Sequence, residues 1–80
     1  MRKAVVSNKQ KHLAKRLVEE RKKAGLHQTD LVSKLDCFQS RIARLESGER
    51  RIDLVEYLEI AEAIGFDPYE MLKEVSKIPD

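Results

Sequence analysis

The 80-residue chain has no tryptophan, one cysteine, two prolines, three glycines, two phenylalanines and two tyrosines. It also lacks any long apolar run. That absence excludes a transmembrane helix, which needs about 20 predominantly apolar residues in succession. The lone Cys37 excludes an internal disulfide and a cysteine-based zinc site. The basic start, MRKAVVSNKQKHLAK, contains only Ala4-Val5-Val6 as an apolar stretch, too short for the core of a signal peptide. A cytoplasmic protein with no membrane contact is the simple expectation. No segment alternates with period two, so no strand is expected either.

Charge is abundant and unevenly placed. The net charge of +2 divides into +7 over residues 1–25, +1 over 26–51 and −6 over 52–80. A chain polarised in this way can turn a basic face toward a polyanion and an acidic face elsewhere. Charge runs that are merely solvated faces fit the same count. The acids at 56, 59, 62, 70 and 74 follow helical spacing and read most simply as such a face.

Helix signals recur along the chain. Residues 1–7 read as a flexible basic tail. Ser7 with Gln10 has capping-box spacing, and a helix is expected from Asn8 to Ala24 with Leu13, Leu17 and Arg21 on one face. Gly25 stops it. A second helix, Gln28 to Leu35, follows a weak cap at His27, and a third runs from Gln39 to about Glu46. Between them Asp36 must take a left-handed turn, which Asp tolerates better than most residues. Asp53 with Glu56 opens a fourth helix, ending at Gly65, with Leu54, Leu58, Ala61 and Ile64 as its apolar stripe. Asp67-Pro68-Tyr69-Glu70 opens a fifth, with Asp as cap and Pro at the first helical position. Residues 77–80 are expected to fray. The chain thus reads as one all-α domain.

The central stretch is Gln28 to Ser47. Leu31 and Leu35, then Ile42 and Leu45, give each short helix an apolar face that the rest of the chain must cover. Left outward on the second are Gln39, Ser40, Arg41 and Arg44, whose amide, hydroxyl and guanidinium groups suit base edges and phosphates.

These residues resemble the helix-turn-helix domains of the phage-repressor, or Xre/Cro, family over about residues 10–72. Gly25-Leu26, Gln28, Leu31, Lys34-Leu35, Gln39-Ser40, Ile42, Glu46-Ser47-Gly48, Arg50 and the run AEAIGFDPYEML carry the resemblance. It implies a five-helix lambda-repressor-like fold with the helix-turn-helix at 28–47. Three positions depart from the family pattern: Val32 stands where a small residue is usual, Asp36 where Gly is usual, and Phe38 where Ser or Thr caps the recognition helix.

The resemblance also implies roles. Gln39, Ser40, Arg41 and Arg44 would read bases, with the arginines on guanine or a phosphate. Gln28, Arg50, Arg51 and Arg21 would meet phosphates, and Arg21 would pair with Glu46 as a structural tie. The implied function is a sequence-specific regulator of transcription, a bacterial or phage repressor. It would bind double-stranded DNA as a homodimer on a near-palindromic operator. Tyr57, Ile60, Tyr69 and Met71 are the candidate dimer surface, with Phe66 more readily a core residue. The alternative is an antitoxin or adaptor on the same fold, with a toxin or other protein as partner. No cofactor, metal, small-molecule effector or enzymatic activity is expected. His12 and His27 are far apart in sequence, and nothing pairs a nucleophile with a base.

Overall fold

Each helix of the chain starts or stops on a local hydrogen bond that its sequence supplies. The computed structural model describes residues 7–79. Among them are five helices: α1 Asn8–Lys23, α2 Gln28–Leu35, α3 Gln39–Ser47, α4 Leu54–Ile64 and α5 Pro68–Ser76, with no strand. Ser7 Oγ accepts from Gln10 N at 3.1 Å and caps α1; the rest of the expected basic tail lies outside the described residues. The Asp53 carboxylate accepts from Glu56 N at 2.8 Å, and that of Asp67 from Tyr69 N and Glu70 N. Each bond satisfies a backbone donor that a helix start leaves open. At α2 the cap works in reverse: the Asp30 carboxylate accepts from His27 N at 2.6 Å.

Between α2 and α3 the chain reverses at Asp36, which takes φ 50°. It is the one described non-glycine residue in the left-handed region, and its N–H donates to Val32 O. Phe38 occupies the cap position of α3 without any side-chain bond and is 83% exposed.

The five helices close around Leu13, Leu17, Leu31, Ile42, Leu45, Tyr57, Ile60 and Met71. Helix α3 sits between α1 and α2, α4 backs α2, and α5 packs on both α1 and α4. The short α2 and α3 therefore owe their stability to this shared core rather than to their own length. Tyr57 contributes most polar detail: its ring meets Phe66 at 6.0 Å between centroids, and its hydroxyl donates to Pro68 O at 2.6 Å.

Two expectations about α4 and α5 are corrected. The buried face of α4 is Glu56, Tyr57, Ile60 and Ala61; of the expected stripe Ala61 is buried and Ile64 packs against the core, while Leu54 and Leu58 face solvent. Tyr57, Ile60 and Met71, expected on a dimer surface, lie instead within the core, at 2–4% exposure. Of that group only Tyr69 is exposed.

Residues 77–79, beyond the end of α5, lie back against α1 and α5. Ile78 N donates to Val75 O at 3.0 Å, Lys9 Nζ donates to Ile78 O, and Asn8 Nδ2 donates to Pro79 O at 3.4 Å. Beside this seam Glu74 of α5 takes His12 Nε2 at 2.5 Å and Arg16 Nε at 3.0 Å from α1. Glu74, read from sequence as part of a solvated face, is instead half-buried and paired.

Candidate nucleic-acid interface

Helix α3 is held by its apolar side. Ile42 and Leu45 are 1% and 2% exposed and fix the rotation of the helix about its axis. At 3.6 residues per turn the opposite side carries Gln39, Ser40, Ala43, Arg44 and Ser47, and all five are exposed. Ala43 was not singled out from sequence because it carries no polar group. Its spacing, four after Gln39 and three after Ser40, was the available signal. Its methyl suits apolar contact with a thymine methyl.

The two flanks of α3, between the buried and exposed sides, each carry an ion pair. On the α1 flank Glu46 receives Arg21 through Nε at 2.7 Å and Nη2 at 3.0 Å, and Gln28 Nε2 at 3.0 Å. Arg21 Nη1 donates to Leu26 O at 2.8 Å. Both side chains of the Arg21–Glu46 pair are 9% exposed. The pair ties α1 to the end of α3, and Gln28 joins the start of α2 to the same carboxylate. The expected phosphate contact from Arg21 is corrected by this geometry. All three guanidinium nitrogens donate inside the protein and the side chain is buried, so it has no edge to offer a phosphate.

On the α4 flank Arg41 turns away from the exposed face. Its Nε donates to Glu56 Oε2 at 2.7 Å and its Nη2 lies 2.5 Å from the same atom. Arg50, in the loop after α3, brings Nη2 to that oxygen at 2.6 Å and Nη1 to Arg51 O at 2.8 Å. Glu56 is 4% exposed, far from the solvated acid expected from its spacing. Its bond to Arg41, and then its charge, raise the Arg41 pKa above the ordinary guanidinium value. Glu56 was missed in sequence because its place in the α4 capping box already accounted for an acid there. Arg41 as a free base reader is corrected accordingly: in this structure its side chain belongs to the Glu56 cluster rather than to the face of Gln39, Ser40 and Arg44.

Arg44 and Arg51 are exposed, and neither guanidinium has a partner among the described residues. Gln28 stands half-buried at the N-terminus of α2, where backbone N–H groups and the helix dipole favour an anion. The surface thus offers hydrogen-bonding side chains along one exposed helix face, with guanidinium groups at its rim. No helix among the described residues is long and apolar enough to cross a membrane.

The comparisons with known proteins agree with this architecture. A family model described as a helix-turn-helix domain matches residues 12–72. An XRE-family like protein from Pseudomonas syringae pv. tomato superposes with a TM-score of 0.79. It shares 34% identity, and the match covers 85% of this chain and 83% of that one. The restriction-modification controller protein C.AhdI from Aeromonas hydrophila superposes with a TM-score of 0.73 at 29% identity, covering 81% of this chain and 98% of the other. No curated protein matches. With the helix pair, its exposed polar face and these likenesses together, the chain belongs to the Xre-type helix-turn-helix family of DNA-binding transcriptional regulators.

Proposed function

We propose that this regulator binds a specific double-stranded DNA site as a homodimer and represses by occluding a promoter. The observation that carries this reading is the presentation of α3. Ile42 and Leu45 lock its rotation, so Gln39, Ser40, Ala43 and Arg44 stand on one exposed face with the functional groups that distinguish base pairs in the major groove. Gln39 suits adenine N6/N7 and Arg44 suits guanine O6/N7. Gln28, Arg50 and Arg51 around that face would fix its register on phosphates.

One short recognition helix makes a small interface for tight specific binding. Two copies related by a two-fold axis would place two such helices about 34 Å apart, one turn of DNA. Leu54, Val55 and Leu58 form an exposed apolar ridge on α4, at 63%, 65% and 40% exposure. Only the loop from Gly48 to Asp53 separates α4 from α3. Pairing through this ridge would set the spacing of the recognition helices of the two copies. An antitoxin or adaptor would use the same ridge for a different protein.

Selection of random DNA duplexes against the purified protein, at two salt concentrations, tests the reading. An enriched near-palindrome supports it. Binding that is only salt-driven, with no enriched sequence, removes specific regulation.

A further inference from the structure

We propose that Arg41 and Arg50 form a single cradle for one DNA phosphate, organised by the buried carboxylate of Glu56, so that Arg41 grips the backbone rather than reading a base. This inference rests on the DNA-binding reading above and deepens it.

The geometry is specific. Three nitrogens from two residues converge on one oxygen: Arg41 Nε at 2.7 Å, Arg41 Nη2 at 2.5 Å and Arg50 Nη2 at 2.6 Å, all on Glu56 Oε2. Arg41 comes from the recognition helix and Arg50 from the loop after it, so the carboxylate joins two separate elements. Two guanidinium groups this close repel each other, and the anion between them holds them together. Glu56 in turn is fixed by its own backbone, whose N–H donates to Asp53 at 2.8 Å.

Charge and exposure show what the cluster can take. Two cations share one anion, which leaves a single surplus positive charge. Arg41 and Arg50 keep 37% and 32% of their side chains exposed, whereas Glu56 keeps 4%. The surplus therefore faces outward. One phosphodiester carries one negative charge, which balances it, and a guanidinium edge matches two phosphate oxygens.

The same cluster argues against base reading by Arg41. Among the described residues Glu56 Oε1 is buried with no hydrogen-bond partner, and the two arginines are the cations bonded to this anion. Swinging Arg41 out to a base edge would leave a buried charge with one bonded cation. Breaking a buried pair in this way costs more than one bidentate base contact returns. A phosphate can be met without that movement, because it approaches the outer edges of guanidinium groups already in place.

The test measures binding to a duplex of arbitrary sequence over a range of salt, alongside the random-DNA selection. For Arg41→Gln the slope of log affinity against log salt should fall by about 0.9, the loss of one phosphate contact, with the enriched sequence unchanged. Arg50→Gln should give the same loss. The double variant leaves Glu56 buried without a cation, so thermal melting first confirms that it is folded; its salt slope should then fall no further than that of either single variant, because the two share one phosphate. In a Glu56→Gln background, which keeps the side-chain volume, the two arginine losses should become additive. Loss of preference at one base pair in Arg41→Gln, or additive losses with Glu56 intact, would overturn the cradle while leaving DNA recognition standing. Failure of the unaltered protein to bind any duplex would overturn both. If Glu56→Gln does not fold, the single and double arginine variants decide the matter by themselves.

Discussion

Arg21 of α1 and Glu46 of α3 meet in two parallel bonds, 2.7 and 3.0 Å long, at a place where both side chains are nine-tenths buried. The pair fixes where the recognition helix ends. Because Gln28 bonds the same carboxylate at 3.0 Å, α2 is positioned by it as well. Removing one partner leaves the other charge buried and uncompensated. Glu46→Gln or Arg21→Met should therefore lower unfolding stability by about 3–5 kcal/mol in denaturant titration. The double variant should lose clearly less than the two singles combined. A single-variant loss under about 1 kcal/mol, the scale of an exposed pair, would remove the structural role.

Asp36 holds the turn at φ 50°, where a Cβ is strained, and places a negative charge at the C-terminus of α2, where the helix dipole disfavours it. Asp36→Gly removes both faults and adds some unfolded-state entropy. The expected net gain is about 0.5–1 kcal/mol, visible as a rise in Tm. A loss of stability would mean that the Asp side chain makes a contribution the turn geometry does not reveal.

The seam between α1 and α5 should be sensitive to acid. The hydrogen bond from His12, helped by the charge of Arg16, holds the Glu74 carboxyl below its ordinary value. A carboxyl whose folded pKa lies below its unfolded one stabilises the fold above the unfolded value. That contribution is lost as pH falls through the folded value. Stability of the unaltered protein should thus decline below about pH 4–5, where free carboxylates begin to protonate. In Glu74→Gln this part of the decline should be absent. Parallel acid limbs for the two proteins would show that the pair carries no linkage.

Tyr57 gives the opposite sign. Burial, followed by the charge of Asp67, pushes its hydroxyl up to about 12 from 10.0. The folded value is the higher one, so this stabilisation is complete below pH 10 and disappears as pH rises toward 12. Tyr57→Phe leaves Pro68 O without its donor and should cost about 1 kcal/mol at neutral pH. It should also flatten the alkaline decline. An unchanged decline in the Phe variant would assign that limb to other groups.

The helix boundaries were legible in the sequence because they rest on local chemistry. Ser7, Asp53 and Asp67 cap where their spacing predicts, and Pro68 opens α5. The left-handed turn at Asp36 was legible for the same reason. What was not legible was the rotation of α4. Leu54, Leu58, Tyr57 and Ile60 give two apolar stripes on one helix, and only packing against α2 and α5 decides which is buried. The fate of the charged residues was equally hidden. Arg41 looks like a reader until Glu56, fifteen residues away, is found beneath it. Arg21 could be placed with Glu46 through the family resemblance, whereas its complete enclosure, down to the bond with Leu26 O, depends on three-dimensional packing.

The exposed face of α3 is the centre of the functional account, and one measurement addresses it directly: random-duplex selection carried out in parallel on the unaltered protein, Gln39→Ala and Arg44→Ala. Both side chains are exposed, so the fold should be unaffected, as thermal melting can verify. Each variant should lose preference at one base pair of each half-site, a change worth about 1–3 kcal/mol there, while the remaining positions stay enriched. If both variants select the same sequence as the unaltered protein with the same strength, Gln39 and Arg44 do not read the DNA and the central assignment on α3 is contradicted.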